Sequence, residues 1–163
     1  FFFVEVDWSE QGYIAARMQM ADRYQSKIFV YDLNGSLIHT VIDEQDPPVW
    51  RSGPVLSEGS EYVIYAQDRQ PQQFPDERPR RTWLLREPAL GPGENPSQIN
   101  NAPIPPNSND LYPCLPPGGE IVMFVNRPTN GATIGNVYFM EVDAADAQSR
   151  ALAFPDATMP DWQ

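Results

Sequence analysis

Apolar and polar positions alternate over short runs, and turn residues rather than helical stretches separate the runs. Phe3 to Trp8 alternates, Ser9 to Gly12 turns, and Tyr13 to Met18 resumes the extended pattern, which predicts a hairpin. Lys27 to Leu33 is rich in β-formers and predicts a third strand. Asn34-Gly35 predicts a tight hairpin in which both turn positions take positive φ, and Ser36 to Ile42 predicts the returning fourth strand. The same order recurs at Pro54 to Tyr65, with a further strand over Thr82 to Arg86, and at Tyr112 to Val125. There it continues through strands near Glu120 to Asn126, Asn136 to Val142 and Ser149 to Phe154.

A bulky apolar residue precedes each first turn: Trp8, Leu56 and Leu115, with Trp162 in the same phase near the end. Their spacings of 48, 59 and 47 residues fit propeller blades, each a supersecondary unit of several short strands. The predicted fold is all-β, a β-propeller of four-stranded antiparallel blades, with three blades plus the first strand of a fourth. The expected boundaries are about 1–46, 47–110, 111–154 and 155–163. The second blade carries long loops at 66–81 and 87–110, rich in proline and polar residues. Both ends stand in the same phase, and the first residue is not methionine. The expectation is a segment of a longer propeller, or one whose ring is completed by other polypeptide, because an open arc leaves unpaired edges and a bare blade face. The apolar opening Phe1 to Val4 is read as part of a strand.

Asp7-Trp8-Ser9 with Gly12-Tyr13-Ile14-Ala15, and Ile28-Phe29-Val30-Tyr31-Asp32-Leu33-Asn34-Gly35, resemble the WD40-like repeat of TolB-type six-bladed β-propellers. Pro113, Gly118, Gly119, Ile121 to Phe124 and Val137-Tyr138 match it in the third repeat, and Pro160-Asp161-Trp162 opens a fourth. Gln11, Glu58 and Gly118 stand where the repeat carries aspartate. The resemblance implies a periplasmic or extracellular setting, with the bulky marker packed between blades.

Composition agrees with a loop-rich β protein: 18 prolines and 10 glycines leave few windows for helix. A net charge of −11 opposes non-specific binding to nucleic acid and anionic membrane surfaces. No apolar run is long enough to span a membrane as a helix. The single cysteine, Cys114, beside a phase marker, is read as a small buried apolar side chain, and no disulfide within the chain can form. The single histidine, His39, lies on an alternating strand with Ile38 and Thr40 on the opposite face, and is read as solvated or hydrogen-bonded. No Gly-x-Ser-x-Gly elbow, phosphate loop, Cys-x-x-Cys-His haem site or second histidine for zinc occurs, so no catalytic, cofactor or metal residue is assigned. Carboxylates at Asp43, Glu44, Asp46, Asp143 and Asp146 lack calcium-loop spacing and are read as solvated turns. Asn34-Gly35-Ser36 fits a glycosylation acceptor but sits in a tight turn.

The expected function is a non-catalytic scaffold that binds other protein subunits or further blades, with contacts supplied by the long loops. Arg78, Arg80, Arg81 and Arg86 concentrate positive charge on an acidic protein and, with Trp83, form one candidate contact. Asn95, Asn101 and Tyr112 mark a second, an Asn/Pro segment stiff enough to lie across a neighbour. Two other readings stay open: a substrate-gating propeller of a larger hydrolase or peptidase, and a structural subunit of a filament or surface layer.

Overall fold

A computed structural model describes residues 2–19, 26–41, 51–68, 82–91, 96–99, 107–129, 132–142 and 150–158. Among them the chain is all-β: three four-stranded antiparallel sheets, each built from consecutive strands. The first blade holds β1 (Phe2–Trp8), β2 (Tyr13–Gln19), β3 (Ser26–Asp32) and β4 (Leu37–Val41). The second holds β5 (Arg51–Leu56), β6 (Tyr62–Asp68), β7 (Thr82–Pro88) and the two-residue β8 (Ser97–Gln98). The third holds β9 (Ser108–Cys114), β10 (Ile121–Pro128), β11 (Gly135–Glu141) and β12 (Ala151–Ala157).

Apart from the two-residue β8, which falls inside the segment expected to be loop, the strands form where the alternation predicts them, and the differences lie at their ends. β6 runs on to Asp68 and β7 to Pro88, so the second blade's loops begin later than 66 and 87. β9 starts at Ser108, inside the segment expected to be loop, and β12 reaches Ala157, past the expected boundary at 155. The β3–β4 hairpin also differs from expectation. Only Gly35, at φ 81°, takes the left-handed conformation, while Leu33 and Asn34 form a β-turn closed by the Gly35 N–H to the Asp32 carbonyl at 3.0 Å. The Asp32 carboxylate accepts the Ser36 and Asn34 N–H groups at 2.8 and 2.9 Å, which holds it below the usual carboxylate range.

Each inner strand packs on the blade before it: β5 on β1, β2 and β3, and β9 on β5, β6 and β7. Two apolar cores result. Between blades one and two lie Ala15, Ile28, Val41, Val63, Tyr65 and Leu85; between two and three lie Ile64, Leu84, Leu111, Val122, Phe124 and Met140. Each fully buried aliphatic or aromatic side chain there contributes about 1.5–3 kcal/mol. Gly53 permits the close approach of β5 and β9: at φ 59°, a Cβ on it would lie 2.9 Å from Pro113 Cδ.

The turn-preceding residues show what each blade requires. Leu56 is 6% exposed and packs in the core against the first blade, and Leu115 packs against the core shared with the second. Trp8, in the same phase, is 74% exposed, because no described blade precedes the first. Phe3 and Val6 lie exposed on the same strand, and Ile121, Phe139 and Phe154 are exposed on the third blade.

Candidate functional site

Carboxylates on one blade reach backbone N–H groups on the next. Glu5 accepts from Gly53 N at 2.6 Å, Asp7 from Leu56 N at 2.7 Å, and Glu58 from Gly118 N at 2.7 Å. Gly53 and Leu56 lie on an innermost strand, which has no ladder partner on its axial edge, and Gly118 lies in the β9–β10 turn, so these side chains satisfy donors that would otherwise need water. The first turns are joined as well: the Ser9 and Ser60 hydroxyls meet at 2.5 Å, and the Tyr62 hydroxyl donates to the Gly119 carbonyl at 2.8 Å.

Where the ends of β1, β5 and β9 converge, these turns enclose an open cleft of about 640 Å³. Asp7, Glu10 and Glu58 stand in its wall, and Val55, Leu56, Leu115, Pro116 and Pro117 supply apolar surface. Cys114 also lines it and is half-buried rather than fully enclosed as its sequence position implied. An adjoining depression brings Glu61 and Glu120 beside Glu10 and Glu58. Ser57 donates to Glu61 at 2.8 Å and holds that carboxyl below its usual range.

Asp7 behaves in the opposite way: burial pushes its carboxyl above the usual range, against the two backbone N–H groups that favour the charge. A raised folded-state value means that the folded protein holds this proton more tightly than the unfolded chain. The contribution is present at low pH and is lost as pH rises through the folded value. Asp7→Asn, which keeps an acceptor for Leu56 N, is therefore expected to match or exceed the parent's stability at pH 7 and to lose that advantage in acid. Asp7→Ala, which orphans the N–H, is expected to cost about 1–3 kcal/mol. Urea unfolding at the two pH values checks both.

At the other end of the blades a second contact repeats. Ser26, the first residue of β3, donates its hydroxyl to the Arg51 carbonyl at 2.7 Å; Thr82, the first residue of β7, donates to the Asp110 carbonyl. Each clasps the start of the next inner strand. Two buried polar networks surround these clasps. In one, His39 and the Tyr65 hydroxyl bind the two oxygens of Glu87 at 2.9 and 3.2 Å, and Arg51 donates to Gln67 at 2.9 Å and to the Ser26 carbonyl at 3.0 Å. In the other, Arg150 grips Asp110 with both terminal nitrogens at 2.8 and 2.9 Å, and Asn126 donates to the same carboxylate at 2.8 Å. The first network links blades one and two, and the second ties the inner strand of blade three to its own outer strand; neither places a nucleophile beside a base. The signal available in the sequence was the hydroxyl residue in the same phase of two repeats.

Of the expected contact residues, Arg78, Arg80, Arg81, Asn95 and Asn101 lie outside the described residues, as do Asp43, Glu44, Asp46, Asp143 and Asp146. Trp83 and Arg86 fall on opposite faces of β7. Trp83 packs against the core shared with blade one, and the Arg86 guanidinium lies 5.3 Å from the Tyr62 ring centroid. Tyr112 is on β9 at φ 52°, with the Arg127 guanidinium 5.8 Å from its ring centroid. The described three therefore do not form one surface. Among the described residues no group of three or more His, Cys, Asp or Glu is arranged to hold a metal ion, and no helix is long and apolar enough to cross a membrane.

No protein-family model and no curated protein matches the chain. Solved structures do. Putative TolB from Agrobacterium tumefaciens superposes with a TM-score of 0.61 at 14% identity, over 91% of this chain and 49% of that one. TolB from Acinetobacter baumannii gives 0.60 at 14% identity, over 94% and 33%. Kuenenia stuttgartiensis hydrazine synthase gives 0.61 at 11% identity, over 85% and 39%. The chain has the fold of TolB-like β-propellers and spans about half the length of the first of these structures and a third of the second.

Proposed function

We propose that this chain is part of a non-catalytic β-propeller scaffold that mediates protein–protein contact in an extracytoplasmic assembly. One observation carries the reading: Leu56 is 6% exposed against its neighbouring blade, and its counterpart Trp8 is 74% exposed. By the logic of the repeat, the face bearing Phe3, Val6 and Trp8 is built to receive another blade-like surface, supplied by the same polypeptide or by a partner. The cleft at the turns adjoins this face, with Trp8 in its wall, and is set in a frame that the buried polar contacts between blades hold rigid. The extracytoplasmic setting rests on the likeness to TolB alone. The match to hydrazine synthase favours a second reading, in which the propeller is a non-catalytic part of an enzyme assembly.

Hydroxyl-radical footprinting tests the scaffold. Phe3 and Trp8 are expected to oxidise readily in the isolated chain and to be strongly protected in the assembly recovered under native conditions. Equal oxidation in both states would sink the reading.

A further inference from the structure

We infer that the axial cleft docks an extended cationic segment of a partner protein, with an apolar side chain seated between basic ones. The inference rests on the scaffold reading and names the partner's chemistry at one surface. The cleft, about 640 Å³, is of a size that seats a few side chains. Val55, Leu115, Pro116 and Pro117 give it an apolar floor for an anchoring residue. Among the described residues the cleft and the depression beside it are bordered by five carboxylates, Asp7, Glu10, Glu58, Glu61 and Glu120, and neither is lined by a lysine or arginine.

That imbalance selects the occupant. An anionic or neutral peptide entering the cleft leaves these carboxylates desolvated and uncompensated, whereas ammonium or guanidinium groups supply the missing donors. Glu58, exposed at the rim, gives one oxygen to the Gly118 N–H of the next blade, so it is fixed in place with lone pairs still open to the cleft, and Asp7 is held beneath it by its backbone contacts. Pre-positioned acceptors of this kind lower the cost of ordering on binding. The chain's net charge of −11 extends the attraction beyond the cleft and steers a cationic segment toward it.

The test uses the 163-residue chain and two labelled peptides, Lys-Leu-Lys-Trp-Lys and its counterpart with glutamate for each lysine, followed by fluorescence anisotropy. The basic peptide is expected to bind saturably, and its affinity to weaken about tenfold between about 20 mM and about 300 mM salt. The acidic peptide is expected not to bind. The exposed pair Glu10→Gln with Glu120→Gln is expected to weaken the basic peptide at least about threefold, and Asp156→Asn, on the outer strand of the third blade, to leave it unchanged. Thermal melts confirm that both variants fold. Equal binding of the two peptides, no saturable binding of the basic one, or a double variant that binds as the Asp156→Asn control does overturns the inference. Phe3, which lines neither the cleft nor the depression, is protected in the native assembly only by cover of the blade face, so the scaffold and the cationic partner can fail separately.

Discussion

Replacing Asp110 with alanine is expected to cost about 3–5 kcal/mol of unfolding free energy. Its carboxylate is fully buried, and the Arg150 that grips it is 10% exposed, with its guanidinium 5.2 and 5.6 Å from the Phe124 and Tyr138 ring centroids. Removing the carboxylate leaves a charged group against two stacked rings without the carboxylate that pairs it, and orphans one amide hydrogen of Asn126. Asp110→Asn keeps an acceptor and is expected to lose less, about 1.5–3 kcal/mol. Replacing the pair together, Asp110→Leu with Arg150→Met, is expected to cost less than Asp110→Ala alone, because a matched apolar pair leaves no buried charge uncompensated. Thr82 contacts the Asp110 backbone carbonyl and not its side chain, so these variants leave the clasp between blades two and three in place. Urea midpoints at constant slope measure all three. A loss below about 1 kcal/mol for Asp110→Ala would mean that Arg150 finds water without it, and that the pair does not hold the blade.

What the sequence made legible was local. Period-two alternation and the Gly and Pro turns mark the first hairpin of each blade and the β3–β4 hairpin, because a half-buried strand must alternate and a tight turn must release its backbone. The propeller follows from the spacing of Trp8, Leu56 and Leu115, since each blade repeats the same packing problem. The blade-to-blade polar contacts were not legible. Glu5 with Gly53, Asp7 with Leu56 and Glu58 with Gly118 are separated by 48, 49 and 60 residues, and a carboxylate near a turn has an ordinary reading as solvated surface. Glu87 shows the limit plainly: it stood at the start of an expected loop, yet it is on β7 and 2% exposed. His39 is the converse case. A hydrogen-bonded strand histidine was one of its two expected states, and the bond runs to Glu87 on another blade. Alternation gives the face of a residue but not the partner across an interface 48 positions away.

The two ends of the blades carry different physics, and that separation bears on function. The ends bearing Ser26, Arg51, Thr82 and Asp110 are closed by buried hydrogen bonds that fix the angle between neighbouring sheets, and by an ion pair that ties the third sheet to itself. The ends bearing the first turns keep their carboxylates at the rim of an open cleft. A scaffold needs both: a rigid frame so that a docking surface is not reordered on binding, and a surface whose charges are not already consumed by the fold. Glu10 and Glu120 are the residues in which the second requirement is most visible, since both are exposed and belong to turns that the frame holds in register.

The frame's other network gives the second large effect. Glu87→Ala is expected to cost about 3–5 kcal/mol, because it leaves His39 and the Tyr65 hydroxyl without their shared acceptor and removes a counter-charge from the buried Arg51. Glu87→Gln, which keeps an acceptor for Tyr65, is expected to cost about half as much. Alkaline titration separates this network from a merely packed interface. Burial first, and the Glu87 charge second, push the Tyr65 hydroxyl far above the ordinary tyrosine range. The folded protein therefore keeps a proton that the unfolded chain releases above about pH 10, so the stability is complete below that value and falls as pH rises beyond it. Tyr65→Phe is expected to cost about 1 kcal/mol at pH 7 and to flatten that fall, so that the two proteins converge in alkali. Glu87→Gln, which removes the charge but not the burial, is expected to flatten it only in part. Parallel alkaline limbs for the parent and Tyr65→Phe would mean that the hydroxyl titrates as if in water, and that β6 and β7 do not seal the face between the first two blades.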